Sequence, residues 1–289
     1  MDIAYTHKCD ERTALTLSGA LDRPLEDVGV ALATFERPDG GWEITVYATD
    51  ENEAAVAKAL LEHASDAHFE RSELPDENWV VRSLEGLRPV RAGRFVVHGA
   101  HDRPAVRGCD IGIEIEAAEA FGTGHHATTA GCLLAIERSL HCRAPRTALD
   151  VGTGTGVLAI AIAKLSPASR IVASDIDPTS VRIARECARW NGVGPHIRFV
   201  RADGFSDATI RTGGPYDLIV ANILAEPLRG MARPIAMHLA VRGSVILSGI
   251  LDRQAASVLA TFRRHGLIPQ HVISQEGWTT LTLARAGRA

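Results

Sequence analysis

The chain has 289 residues, 46% of them hydrophobic and 23% charged, with a formal net charge of −4. That length favours one catalytic domain with a smaller companion, and the hydrophobic share is enough to bury a core, which excludes a disordered chain. The acidic balance excludes a strongly basic protein that embraces duplex nucleic acid, so no direct nucleic-acid specificity is expected.

In chain order, MDIAYTHKCDER carries charge from its second residue and has no apolar run of signal-peptide length, so export is not expected. Residues 10 to 20 read as a helix. Residues 28 to 48 hold two β-rich runs, VGVALATF and WEITVYAT, and Pro38-Asp39-Gly40-Gly41 between them favours a tight reversal. Asp50 then caps the helix-forming run ENEAAVAKALLEHA, and a strand is expected near His68 to Glu73. Residues 1–75 therefore read as a small α+β domain. From Pro75 to Arg107, Trp79, the turn Leu87-Arg88-Pro89 and the short run RFVVHG show no sustained period. Residues 76–118 are taken as a linker and covering segment.

After Arg146 apolar β runs and helical runs alternate: TALDV, VLAIAIAKL, RIVASDI, PTSVRIARECARWNG, IRFVRAD, YDLIVANI, a helix from about Leu224 to Leu239, SVILSGI, and a helix from Asp252 to His265. Such alternation predicts an α/β fold, a parallel sheet with helices on both faces. The last two strands, roughly Ile268 to Ser274 and Trp278 to Ala284, are separated by three residues, which requires an antiparallel hairpin. A mostly parallel, seven-stranded, Rossmann-like sheet with a reversed final strand is the pattern of the class I methyltransferase superfold. The catalytic domain is expected over residues 119–289.

The five cysteines, Cys9, Cys109, Cys132, Cys142 and Cys187, are scattered without a CxxC pair, which argues against a disulfide framework or zinc site. No apolar stretch approaches the roughly 20 residues of a membrane span, so a cytoplasmic, membrane-free protein is expected.

Several residues carry chemistry. The strand TALDV runs into Gly152-Thr153-Gly154-Thr155-Gly156 and then a helix, which lets bare backbone lie against a cofactor while helix N–H groups face its carboxylate. A dinucleotide loop would read GxGxxG, but Val157 follows Gly156, so pyrophosphate is the weaker ligand and a nicotinamide dehydrogenase the weaker reading. Asp175 ends the next strand, where a carboxylate can accept two ribose hydroxyls, whereas Asp177 before Pro178 reads as a helix cap. Asp203 is expected over the adenine side and Asn222 at the end of YDLIVANI beside the glycine loop, facing the transferred group. Upstream, in EAFGTGHHATT, Phe121 offers an apolar face, and Thr128 and Thr129 are expected to cap a helix and present hydroxyls. Adjacent His125 and His126 point apart on a helix, so no metal is expected.

Taken together, AFGTGHHATT, LDVGTGTGVLAIAIAKL, DIDPTSVRIARECARWNGV, DLIVANILAEPL, LSGIL and the Trp278 strand resemble the methyltransferases of large-subunit ribosomal protein L-eleven, the PrmA family. The matched text runs from about Trp79 to the C-terminus, while residues 1–75 match only loosely. The resemblance implies S-adenosyl-L-methionine as cofactor, contacted by Thr129, Gly152, Asp175 and Asn222, and adds to the residue-based picks Phe121, Gly154 and Asp203. It implies a small N-terminal domain that recognises a ribosomal protein substrate, free or in assembly. Lysine side chains and the N-terminal amine would be methylated; separately from the resemblance, a monomer is expected. The loop GTGTG departs from relatives that carry a cysteine and a serine between the glycines. Asn222-Ile223-Leu224-Ala225 also differs from the Asn-Pro-Pro-aromatic text of enzymes acting on planar nitrogen, which favours a tetrahedral amine, with Asn222 in the catalytic role. The competing reading is a methyltransferase of the same fold acting on another protein lysine or a small-molecule amine.

Overall fold

The computed structural model describes residues 2–26, 28, 30, 32–36, 41–49, 52–74, 89–115 and 126–285. Their contacts divide them into two compact units, one holding the described residues up to 74 and the other those from 89 onward. Among the described residues no helix is long and apolar enough to cross a membrane.

The first unit runs β1 (Asp2–Cys9), α1 (Glu11–Glu26), β2 (Leu32–Glu36), β3 (Trp42–Thr49), α2 (Glu53–His63), β4 (Glu70–Leu74). Its sheet order is β2-β3-β1-β4, antiparallel throughout, which is the split β-α-β arrangement. Leu21 and Leu25 lie one turn apart on α1 and meet Ile3, Val46, Val56 and Leu60 in one core. The expected hairpin is the β2–β3 pair, with residues 37–40 of its turn outside the described residues. The central strand β1 was not expected. Among its residues with described burial only Ile3 and Ala4 are buried, so its pairing on both sides specifies it more than an alternating pattern does.

The second unit opens with β5 (Val90–Ala92), β6 (Phe95–His98) and β7 (Ile111–Glu114), a small sheet within the stretch read as linker. The helix α3 (His126–Cys142) then leads into the main sheet. That sheet contains β8 (Thr147–Val151), β9 (Arg170–Asp175), β10 (Ile197–Arg201), β11 (Tyr216–Asn222), β12 (Leu239–Leu251), β13 (Leu267–Gln275) and β14 (Trp278–Arg285). The seven strands lie in the order β10-β9-β8-β11-β12-β14-β13. All neighbours through β12 are parallel, and β14 inserts antiparallel between β12 and β13. The reversed strand that separates this fold from an all-parallel dehydrogenase sheet is therefore present. Gln275 pairs with Trp278, leaving Glu276 and Gly277 as the link, both at positive φ, as a two-residue hairpin turn matched to strand twist requires.

Helices cover both faces because β8 alternates within an entirely buried strand. Leu149 and Val151 join the core of α6 (Ala225–His238) and α7 (Asp252–Arg263), whereas Asp150 points the other way, to α4 (Val157–Leu165). The apolar run of α4 is buried from Val157 to Ala163, so it fills the sheet-to-helix layer all round. Between them, α5 (Pro178–Trp190) is amphipathic, burying Val181, Ala184, Cys187 and Ala188.

Candidate active site

The strand order reverses between β8 and β11, and ligands of open α/β sheets bind outside the carboxyl ends of the strands at such a point. The glycine loop sits there. Gly152, Gly154 and Gly156 all adopt positive φ, the left-handed region that a Cβ disfavours. The backbone N–H groups of Gly152 and Thr153 donate to Ser174 O at 2.8 and 2.9 Å, folding the loop over the end of β9. A Cβ on Gly152 would lie 2.4 Å from Ile223 Cγ2, and one on Gly156 would lie 3.1 Å from Ala184 Cβ in α5. A Cβ on Gly154 would meet nothing within 4 Å, so that glycine presents bare backbone to open space.

Asp175 ends β9 and is half-buried beside this loop. Its Oδ2 accepts from Gly154 N at 2.9 Å and its Oδ1 from Asp177 N at 3.1 Å, so both oxygens are oriented while each retains a lone pair for a further hydroxyl. Asp177 caps α5, accepting from Thr179 N at 3.0 Å and Ser180 N at 2.9 Å, with Pro178 opening the helix. Those backbone N–H groups, Thr179 first, hold its carboxyl below the usual range. Asp203 lies past the end of β10, exposed, with its carbonyl accepting from Ser206 N.

Asn222 ends β11. Its Nδ2 donates to Thr128 Oγ1 at 3.4 Å and Thr129 Oγ1 at 3.5 Å, long contacts that bring the helix α3 and the ANIL turn together. The helix begins at His126, so Thr128 and Thr129 stand in its first turn rather than at its cap, and both are buried. Thr129, Gly152, Gly154, Asp175 and Asn222 thus gather at one edge of the sheet, with Asp203 on the flank of β10. Phe121, with residues 119–125 of the glycine-rich segment, lies outside the described residues.

Two features escaped the sequence reading. Asp150, directly before the loop, is fully buried. Its Oδ2 accepts from Thr153 Oγ1 at 2.7 Å and Ala159 N at 3.1 Å, while its Oδ1 has no partner among the described residues. Burial pushes its carboxyl up to about 7, against the pull of those two hydrogen bonds. The apolar β run around it concealed a carboxyl that ties the glycine loop to the first turn of α4. Gly249 is the second, at φ 78°, where a Cβ would lie 2.4 Å from Ile223 O. Ile223 is therefore held between the loop that follows β8 and the irregularity within β12 at Gly249.

Comparison with known proteins agrees with this architecture. Residues 21–286 match the family model of ribosomal protein L11 methyltransferase (PrmA). A ribosomal protein L11 methyltransferase of Bradyrhizobium diazoefficiens is 50% identical over 89% of this chain and 88% of its own length. The corresponding protein of Rhodopseudomonas palustris is 47% identical over 96% of this chain and 95% of its own. The crystal structure of a ribosomal protein L11 methylase from Lactobacillus delbrueckii subsp. bulgaricus superposes with a TM-score of 0.63 at 31% identity, covering 70% of this chain and all of that one. With the reversed strand, the glycine loop and near-full-length relatives in agreement, the chain belongs to the ribosomal protein L11 methyltransferase (PrmA) family.

Proposed function

We propose that this chain is an S-adenosylmethionine-dependent N-methyltransferase acting on lysine side chains and the N-terminal amine of ribosomal protein L11. The observation that carries the reading is the Asp175–Gly154 hydrogen bond, which sets a ribose-type carboxylate against bare glycine backbone at the sheet's switch point. The residues fit the cofactor: Asp175 keeps acceptor capacity for two hydroxyls, and Gly154 leaves the room a side chain would fill. In this reading Gly152 and Gly154 line the cofactor's backbone side, Asp203 its adenine side, and Thr129 and Asn222 its amino-acid end, with Phe121 an apolar wall.

The cofactor supplies an electrophilic methyl group. The chain's own contribution is to bind and align, since a displacement of this type gains most from positioning. A lysine amine has an ordinary pKa of about 10.4, so the acceptor must reach the site without its extra proton. With Nδ2 of Asn222 turned to the two threonines, its Oδ1 is left to accept from the amine N–H and aim the nitrogen lone pair. Asp150 is fully buried behind the loop and does not serve as the proton acceptor for an incoming amine.

Residues 1–75 serve as the unit that recruits the protein substrate to the catalytic residues 119–289, with 76–118 between them. The enzyme acts as a cytoplasmic monomer without nucleic-acid specificity. Incubation of the purified protein with S-adenosylmethionine and ribosomal protein L11, followed by peptide mass spectrometry, tests the reading. Methyl groups on lysines and the N-terminus of L11 support it. L11 left unmodified, while a cell lysate incubated in parallel takes up methyl groups on a different protein, would transfer the assignment to a methyltransferase of the same fold with another substrate.

A further inference from the structure

Behind Asn222 and the two threonines lies a buried polar chain that neither the glycine loop nor Asp175 touches. Ser248, in β12, is 0% exposed and Thr280, in β14, is 3% exposed. Ser248 Oγ donates to Thr128 O at 3.2 Å and lies 2.8 Å from Thr280 Oγ1. Since the single Ser248 proton is committed to the Thr128 carbonyl, Thr280 is the donor of the second bond. Ser248 also contacts the buried Cys132 thiol, one turn along α3 from Thr128. The hydroxyl is thereby satisfied both as a donor and as an acceptor. A buried polar group so fully satisfied specifies one arrangement, because any shift leaves a partner unpaired.

The same place is sterically closed. A Cβ on Gly131 would fall 2.3 Å from Thr280 Oγ1, so α3 approaches β14 as closely as a glycine permits. The reversed strand therefore reaches α3 through one hydroxyl, Thr280 Oγ1, which packs on Gly131 and bonds to Ser248 of β12, itself bonded to Thr128 O. Thr128, whose carbonyl Ser248 holds, presents its own hydroxyl to Asn222 Nδ2.

We propose that Ser248 and Thr280 are positioning residues for methyl transfer: their hydroxyl pair fixes the start of α3 and, through Thr128, the orientation of the Asn222 amide. Neither residue touches the reacting atoms. The reversed strand, which marks the fold, thereby also acts on the catalytic edge. This rests on the role of Asn222 proposed above.

The test is steady-state and single-turnover methylation of L11 by the full chain, with melting temperature recorded for each variant. Ser248→Ala is expected to lower kcat about tenfold with little change in cofactor affinity, as a small misplacement of an aligning group does. Thr280→Val, which keeps shape but loses the hydroxyl, is expected to follow it, and Thr280→Ser, which keeps the hydroxyl, to restore most of the rate. Because Ser248 acts through Asn222, adding Ser248→Ala to Asn222→Ala is expected to cost less than about twofold further. The proposal is overturned if Thr280→Val turns over like the parent, or if the Ser248 and Asn222 effects on kcat multiply. An Asn222→Ala enzyme with unchanged kcat would sink the role of Asn222 itself, a separate result that removes this relay with it. Should Ser248→Ala fail to fold, the Thr280 pair decides alone.

Discussion

Ile223 Cγ2 lies 2.4 Å from the point that a Cβ on Gly152 would occupy, and Ile223 O lies 2.4 Å from a Cβ on Gly249. The residue after Asn222 is thus clamped between two left-handed glycines, Gly152 of the loop after β8 and Gly249 within β12, at φ 70° and 78°. Gly152→Ala and Gly249→Ala combine strain with a clash and are expected to cost about 2–4 kcal/mol each. Gly154→Ala has strain but open space, so about 1–2 kcal/mol is expected, together with a larger loss of cofactor affinity than of stability. Urea unfolding beside calorimetric titration of the three variants separates the two effects.

Asp175→Ala is expected to weaken S-adenosylmethionine binding by about 100-fold or more, since two ribose hydroxyls would lose a charged acceptor and the Gly154 N–H its partner. The carboxylate is at the sheet edge rather than in the core, so the melting temperature should change little. Unchanged affinity in a calorimetric titration would remove Asp175 from the site.

The Asp150 carboxyl makes stability depend on pH in a defined direction. Its value in the folded chain is about 7 against an ordinary 3.8, with burial the main cause. The folded state therefore holds the proton that the unfolded state releases, and this contribution to stability is fully present below about pH 4, falls as pH rises toward 7, and is gone above it. Asp150→Asn keeps an acceptor for Thr153 and Ala159 without a buried charge. The variant should melt higher than the parent at pH 8, and the difference should shrink toward pH 5. A difference that does not vary with pH would contradict the buried proton.

The sheet and most of the site were legible because the relevant residues end apolar β runs: Asp175 after RIVAS, Asn222 after YDLIVA, Gly152 after TALDV. A strand end needs no tertiary information to be recognised. The short Gln275–Gly277 link likewise dictated the reversed strand. What stayed hidden depends on contacts distant in sequence. β1 is specified by partners 33 or more residues away, and Ser248 meets Thr280 only through the register of β12 on β14. Asp150 sits in an apolar strand, and nothing local reveals that its buried side chain joins Thr153 of the glycine loop to Ala159 of α4. The start of α3 at His126, ahead of the threonines expected to cap it, reflects their use for Asn222 instead.

Removal of residues 1–75 should leave cofactor affinity intact and abolish methylation of L11, because the groups assigned to the cofactor all lie beyond that segment. Calorimetry and labelled transfer on the shortened chain check the two halves of this expectation. Retained methylation of L11 would contradict the recruiting role.

The most direct test of the account is single-turnover transfer of a labelled methyl group to ribosomal protein L11 by the parent and by Asn222→Ala, at saturating cofactor. The account predicts a loss of about 100-fold in the rate of transfer with a far smaller change in cofactor affinity, as expected when an aligning hydrogen bond at the reacting nitrogen is removed. Equal rates for the two proteins would contradict it.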